Sequence, residues 1–274
     1  MNVVERTPGP TDQPNIAEKA RGGALIINAD DWGLDRETTD CIRRCFAHKA
    51  LSSTSAMVFM ADSVRASELA REEGIDTGLH LNLTEPFSGS GISSQLAGHQ
   101  EKVALYLRKR RAHQAIFHPG LTRSFTYTVQ AQLEEYARLY GQPPARLDGH
   151  HHMHLCANVL FSALIPRGIV VRRNFSFRPG EKGSLNRWYR RRIDQMLARR
   201  HQFADFFFAL APLSPPERLS HIFSLSRQLM VEVETHPVVP EEFRFLTSDA
   251  LLNWTGGSPL ATHYPKRIAS VGNL

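Results

Sequence analysis

Two adjacent carboxylates, Asp30 and Asp31, follow directly on a short apolar run in the stretch ALIINADDWG, residues 24–33. Like charges side by side repel, and the end of a buried strand is screened less by water than the open surface is. A divalent cation would offset this repulsion. One carboxylate would bind the cation, while the other, pointing elsewhere, would accept a proton from a water molecule on the cation.

Histidines follow other apolar runs and supply the remaining candidate ligands. His80 lies in TGLHLNLT, where His80, Asn82 and Thr84 alternate with leucines as in a strand. The stretch RLDGHHHMHL contains four histidines within residues 150–154, and His236 stands in VEVETHP. An aspartate with two histidines forms a ligand set suited to zinc and to other divalent ions. Each polar cluster stands at the C-terminal end of a predicted strand.

Strands and helices alternate along the chain. Strands are predicted over 24–29, 54–59, 77–83, 146–149, 169–172, 206–210 and 229–235, and helices over 36–49, 63–73, 129–140, 158–165, 185–199 and 216–226. This alternation predicts an α/β protein with a parallel sheet, either an open doubly wound sheet or a closed barrel. In a barrel, the C-terminal ends of the strands form one rim that carries the chemistry. Residues 86–125 are predicted to be a long loop with one short helix.

The first turn argues against a dinucleotide-binding sheet, because two acids stand where that fold needs a glycine-rich phosphate loop. Each candidate residue also has a plainer interpretation. His80 alone would usually be a core histidine, the HHHMH run could be a loose metal-binding loop, and Asp30 could cap the helix that follows. Asp148 could orient a ligand histidine. The coincidence of three polar clusters at strand ends favours a metal site over these readings.

The composition sets wider limits. The chain has 274 residues and a formal net charge of +6, much of it in arginine clusters that we interpret as solvated helix faces. No aromatic residues are interleaved with them as a nucleic-acid platform would need, so no nucleic-acid partner is predicted. Three cysteines and no apolar run of the ~20 residues that a membrane helix needs predict a cytoplasmic protein without a transmembrane segment. Residues 1–22 are predicted to be a flexible arm and residues 23–274 a single domain.

Four motifs taken together, NADDWG, TGLHLNLT, DGHHHMH and THP, resemble those of the YdjC-like carbohydrate deacetylases, the ChbG/HpnK group. The resemblance covers most of the chain. It implies an irregular, TIM-like (β/α) barrel similar to that of polysaccharide deacetylases. It also implies one divalent metal ion, Mg²⁺ or Zn²⁺, and removal of the acetyl group from an N-acetylated sugar or oligosaccharide. Trp32 replaces the usual Phe, and Val238 stands where the late motif often has Gly.

The resemblance carries roles onto individual residues. Asp31, His80 and His150 are implied as the metal ligands, and Asp30 as the general base. His236 is interpreted as the acid that protonates the leaving amine, because an amine leaves poorly unless it is protonated. Side chains expected to face the substrate are Asn82, His152 and His154.

Several alternatives stay open at this point. Another metal-dependent barrel hydrolase, or a metal-binding protein that binds sugars without hydrolysing them, would share much of the pattern. The arginine-rich segment 172–200 could favour a nucleotide-linked or lipid-linked sugar, or could simply be the exterior of a helix. The sequence does not decide between a monomer and a homodimer.

Overall fold

A computed structural model of the chain describes residues 23–177, 181–255 and 260–264. Seven strands form one sheet in which every neighbouring pair is parallel, in the order β5-β4-β3-β2-β1-β7-β6. The strands are β1 (Ala24–Trp32), β2 (Ser53–Ala56), β3 (Thr77–Leu81), β4 (Arg146–Gly149), β5 (Val170–Val171), β6 (Phe206–Ala209) and β7 (Met230–Thr235). The predicted arm, residues 1–22, lies outside the described residues. The single-domain organisation stays a prediction.

Helices connect the strands and cover the sheet. They are α1 (Arg36–Ala47), α2 (Ser63–Glu73), α3 (Ser94–Lys109), α4 (Thr122–Tyr140), α5 (Ala157–Phe161), α6 (Ser184–Ala198), α7 (Pro216–Leu225), α8 (Pro240–Thr247) and α9 (Ala250–Thr255). Within the described part of the chain, no helix has both the length and the apolar character needed to cross a bilayer.

The sheet curls into an irregular barrel. Its two edge strands are joined by isolated backbone contacts instead of a continuous ladder: Val171 N–H donates to the carbonyl of Gln202 at 2.8 Å, and Ser176 N–H donates to that of Phe207 at 2.8 Å. The predicted α/β barrel is thereby confirmed. Because all strands run the same way, their C-terminal ends meet at one rim.

The two faces of the sheet carry different residues. On β1, Leu25 and Ile27 point outward into the apolar core beneath the helices. The alternate residues, Ile26, Asn28 and Asp30, point into the barrel. Ile26 packs with Val170 and Tyr264 in a small second cluster at the bottom of the barrel, and the interior above it is polar. The barrel interior is therefore built to hold charged groups near the rim.

The prediction for residues 86–125 was wrong. A 16-residue helix, α3, spans Ser94–Lys109, and α4 begins at Thr122, seven residues before the predicted start. The N-cap Ser93 accepts a hydrogen bond from Leu96 N–H at 3.2 Å, and Leu96, Val103 and Leu107 are buried at helical spacing. Glycines and prolines on either side of this stripe concealed it. Helices α8 and α9 also went unpredicted.

Helix α4 anchors the end of β3 that carries His80. The fully buried Gln132 accepts a hydrogen bond from Asn82 N–H at 2.8 Å and donates one to the Asn82 carbonyl at 2.8 Å. One amide side chain thus takes the place of a neighbouring strand just where β3 ends.

Replacing Gln132 by leucine should leave both backbone groups of Asn82 buried without partners. We expect Gln132→Leu to lower the free energy of unfolding by about 1–3 kcal/mol for each group left unpaired. Urea denaturation followed by circular dichroism measures this. Gln130→Leu, a change of the same kind on the exposed face of α4, should cost far less. Equal losses in the two variants would contradict the anchoring role.

Candidate metal centre

A local distortion of β1 separates the two adjacent carboxylates. The register between β1 and β2 shifts between Ala29 and Trp32, and Asp31 adopts a left-handed backbone conformation with φ of 69°. Aspartate tolerates this conformation better than most residues, and such outliers concentrate at functional sites. As a result, Asp30 points into the barrel while Asp31 turns toward the histidines at the rim.

Asp31, His80 and His150 converge although they lie far apart in the chain. The Asp31 Oδ1 atom lies 2.9 Å from His150 Nδ1 and 3.3 Å from His80 Nε2. One potential ligand atom of each residue lies within 4.8 Å of those of the other two. The chemistry of this set, one carboxylate oxygen and two imidazole nitrogens, fits a divalent cation, because Zn²⁺ and related ions bind such ligands.

The charges around the centre shift its protonation equilibria. Burial opposes ionisation of Asp31, but hydrogen bonds from His150 and His80 hold the pKa of its carboxyl well below the usual value. Burial would likewise lower the pKa of His80, yet the negative charges of Asp30 and Asp148 raise it well above its ordinary value. The protein thus concentrates negative charge at this centre. Imidazole protons balance that charge, and a divalent cation could take their place.

Asp148 holds the imidazole of His80 from behind. Its Oδ1 atom lies 2.7 Å from His80 Nδ1, and its Oδ2 atom accepts a hydrogen bond from the Ser55 hydroxyl at 2.5 Å. Because Asp148 occupies the Nδ1 atom of His80, the other ring nitrogen, Nε2, is directed at Asp31. This is the arrangement by which a buried carboxylate fixes a metal-binding histidine, one of the interpretations considered from the sequence.

Asp30 is fixed by a bidentate ion pair with Arg172. Arg172 Nη1 lies 2.6 Å from Asp30 Oδ2, and Arg172 Nη2 lies 2.8 Å from Asp30 Oδ1. The amide of Asn28 donates to Oδ1 at 2.9 Å. A potential ligand atom of Asp30 also lies within 4.8 Å of one from His80 and one from Asp148. The carboxylate therefore stands beside the candidate metal ligands in a single orientation.

Arg172 is the site residue that the sequence did not reveal. Only 1% of its side chain is exposed, and it contacts the carboxyl groups of Asp30, Asp148, Glu232 and Glu234. Its neighbour Arg173 made it resemble part of a solvated basic cluster. A signal was available in VEVET, because two glutamates alternate in a strand of a parallel sheet, whose faces are normally buried. Burial raises the pKa of both glutamates.

The HHHMH run folds into a short 3₁₀ segment, His150–Leu155, interrupted by two consecutive left-handed residues. His151 has φ of 53° and His152 has φ of 57°. His152 lies on the wall of a cavity of about 190 Å³ together with His151 and Phe175, and its Nε2 atom is 3.6 Å from Glu234 Oε2. The predicted substrate-facing position of His152 is compatible with this placement and stays a prediction.

Two other residues predicted to face the substrate do not fit that role. Asn82 is fully buried, and its amide bonds the turn after β3, donating to the Glu85 carbonyl and accepting from the N–H groups of Thr84 and Glu85. His154 is also fully buried, with Nε2 2.9 Å from the Arg172 carbonyl. Both side chains are fully buried, and neither lines the cavity beside the metal centre.

His236 follows β7 at the same rim. Its backbone N–H donates to Glu242 Oε2 at 2.9 Å, and the same oxygen accepts from the Thr235 hydroxyl at 2.6 Å. The imidazole is partly buried and forms no hydrogen bond with another of the described residues. The structure brings His236 to the correct end of the barrel without placing it among the grouped ligands, so its acid role stays a prediction.

Comparisons with known proteins agree with this picture. A family model described as "YdjC-like protein" matches residues 24–255. A chitooligosaccharide deacetylase of Serratia marcescens is 30% identical over 132 residues, covering 48% of this chain and 50% of that protein. A carbohydrate deacetylase of Homo sapiens is 32% identical over 140 residues, covering 49% of this chain and 42% of that protein. The chain spans about half the length of the curated relatives that it matches.

A solved structure shares the fold. It belongs to a proposed cellobiose-phosphate cleavage protein from Enterococcus faecalis V583, with a TM-score of 0.61 and 17% sequence identity. The match covers 88% of this chain and 97% of that one. At this identity the likeness supports the fold alone.

We expect one divalent cation to bind per chain through Asp31, His80 and His150. Titration calorimetry with Zn²⁺ and Mg²⁺ measures this binding. His80→Ala should weaken it by at least about a hundredfold, because a ligand is lost. Asp148→Asn should weaken it by about 10–100-fold. Binding should also weaken as the pH falls, because the raised pKa of His80 lets protons compete at that nitrogen. His48→Ala, at an exposed histidine, is the control; unchanged affinity in His80→Ala would refute the site.

Removing the Arg172 charge should destabilise the protein strongly. Arg172→Met leaves buried carboxylates without a counter-charge, and we expect a loss of about 3–5 kcal/mol in urea denaturation at neutral pH. Arg172→Lys should retain part of the stability. The difference from wild type should shrink as the pH falls below about 4. The pKa of Asp148 is lowered in the folded protein, so only the unfolded chain takes up a proton there, and the stability that the Asp148 charge contributes declines progressively.

The matched control is Arg138→Met, since Arg138 is an exposed arginine of α4 that pairs with Glu135 on the same helix. It should cost no more than about 1 kcal/mol. An Arg172→Met protein as stable as Arg138→Met would show that the buried cluster does not depend on Arg172.

Proposed function

We propose that this chain, which belongs to the YdjC-like protein family, is a metal-dependent carbohydrate deacetylase that hydrolyses the N-acetyl group of an N-acetylated sugar or oligosaccharide. One observation carries the proposal: a ligand triad, Asp31 with His80 and His150, stands beside a second carboxylate, Asp30, that is held apart by Arg172. A protein that only bound metal and sugar would have no need of that second carboxylate. The names of the relatives supply the substrate class.

The residues divide the reaction between them. Asp31, His80 and His150 would hold the cation, which when bound polarises the acetyl carbonyl and acidifies water. Asp30 would take the proton from the attacking water, and its ion pair with Arg172 keeps the carboxylate in position as the proton arrives. Asp148 fixes the ring of His80. The acyl carbon would therefore meet a nucleophile and a base that are already oriented.

Release of the sugar amine needs an acid, and we assign this role to His236. Its place after β7 puts it at the same rim as Asp30, because Ala29 of β1 pairs with Thr235 of β7. Glu242 fixes the backbone of His236 and leaves its imidazole free of partners among the described residues. Protonated at a ring nitrogen, His236 would donate that proton to the amine as the C–N bond breaks.

The cavity beside the centre suits a sugar. Amide groups of Asn174 and Asn186 and the guanidinium of Arg190 line it, with Phe175 as an apolar surface. Sugar hydroxyls bind such amide groups, and the ring carbons pack on apolar side chains. We propose that the acetylated residue of the substrate occupies this cavity.

The ligand set and the cysteines extend the proposal to the metal and the compartment. Zn²⁺ and Mg²⁺ both suit the proposal, and metal loading with activity would choose between them. Cys41, Cys45 and Cys156 are all buried and free, which supports a reducing, cytoplasmic compartment.

The decisive test is acetate release from a panel of N-acetylated oligosaccharides, with and without a chelator. We expect activity that a chelator abolishes and added metal restores. Asp30→Asn should bind metal as tightly as wild type but lose at least about a hundredfold in kcat, because only proton transfer is removed. His236→Ala should lower kcat with little change in metal affinity.

Asp40→Asn is the matched control, since Asp40 is a partly exposed aspartate on α1 that pairs with Arg65 and with none of the site residues. It should leave acetate release unchanged. A fully active Asp30→Asn protein would refute the base assignment, and a metal-loaded wild type with no turnover on any acetylated sugar would favour a binding protein.

A further inference from the structure

Helix α6 stands out because its apolar residues face solvent. Leu185 is 76% exposed and Trp188 is 55% exposed, whereas only Ile193 and Leu197 of this 15-residue helix are buried. Large apolar side chains scattered singly over a surface are ordinary, but two on one short stretch of helix form a patch. Nothing in the barrel uses this patch.

Helical geometry groups the exposed residues on one face. At about 100° per residue, Leu185, Arg191 and Arg192 all lie within about 60° of Trp188 around the helix axis. The Arg192 guanidinium lies 5.5 Å from the centre of the Trp188 ring. The buried Ile193 and Leu197 lie on the opposite side. The outward face of α6 therefore combines apolar side chains with several arginines.

Helix α6 itself contributes no negative charge to this face. Glu181 precedes the helix, and from Lys182 to Ile193 the sequence contains Arg187, Arg190, Arg191 and Arg192 and no acid. The next acid, Asp194, is directed inward, where it pairs with Arg173 at 2.8 Å. The positive charge on the outward face is therefore left uncompensated by the helix that carries it.

A second basic and apolar segment borders the same cavity. Gln114 and Asn186 both line the cavity beside the metal centre, so the loop after α3 lies across the cavity from α6. The sequence has no acid between Glu101 and Glu134 but includes the run Arg108–Arg111. Ile116, in the same acid-free stretch, is 53% exposed. The segment that follows α3 therefore combines positive charge with an exposed apolar group, as α6 does.

We propose that the outward face of α6, defined by Leu185, Trp188, Arg191 and Arg192, docks on an anionic lipid surface. The arginines would lie among the lipid headgroups, while Trp188 and Leu185 would enter the boundary between headgroups and acyl chains, as on interfacial amphipathic helices. The proposal does not depend on the deacetylase reaction.

Lipid accounts for this surface better than nucleic acid does. Phosphate groups would explain the arginines but give no reason for an exposed leucine beside them. A lipid interface accommodates both classes of side chain at once, because arginine side chains extend their charged ends to the headgroups. Tryptophan is the residue most typical of that depth.

The test is co-sedimentation of the full chain with vesicles of phosphatidylcholine alone and vesicles of equal parts phosphatidylcholine and phosphatidylglycerol. We expect binding to the anionic vesicles only, weakened by salt. Leu185→Ala/Trp188→Ala should lower the partition coefficient about tenfold or more. Arg191→Gln/Arg192→Gln should lower it by about fivefold for each charge removed. Tryptophan emission should shift to the blue on binding and lose that shift in Trp188→Phe.

Val64→Ala/Arg71→Gln is the matched control, since it removes one exposed apolar and one exposed basic residue from α2. It should bind as wild type does. Equal loss of binding in the control, or no binding of wild type to anionic vesicles, would overturn the proposal. So would wild type binding a DNA duplex but not vesicles. Circular dichroism melting curves establish that each variant is folded.

Discussion

The buried guanidinium of Arg172 is the constraint around which the barrel interior is organised. Four carboxyl groups approach it inside a cavity where water cannot screen them, and each comes from a different position on strands β1, β4 and β7. Taken alone, these groups would repel one another and resist burial. The Arg172 guanidinium carries one positive charge on a planar fork of donors, so it satisfies all four carboxyl groups together and fixes their directions.

This arrangement explains how two neighbouring aspartates come to have separate tasks. Asp30 is held by Arg172, so its charge is balanced within the barrel. Asp31, itself in the left-handed conformation, turns away, and its carboxylate meets the imidazoles of His150 and His80. The charge of Asp31 is therefore balanced by groups that can exchange their protons for a metal ion. The distortion of β1 is what makes the two carboxylates chemically different although they are adjacent in sequence.

Local patterns were enough to predict most of the strands and the convergence expected at their ends. Helix α2 and strand β4 occur at the predicted residues, because apolar spacing and flanking turn residues determine them locally. Arg172 could not be identified in this way, since its environment is created by strands that are up to 142 residues away. Helix α3 was missed for a different reason: its capping serine stood within a glycine-rich and serine-rich stretch typical of loops.

The paired left-handed residues His151 and His152 limit how this segment can vary between relatives. A β-branched side chain at either position would clash with its own backbone, so sequence drift there is confined to glycine and to short polar or imidazole side chains. The turn also directs His150 toward Asp31 and His152 toward the cavity. Tolerance for new substrates should consequently reside in the other residues of the cavity wall, such as Asn174 and Asn186, which carry no such backbone restriction.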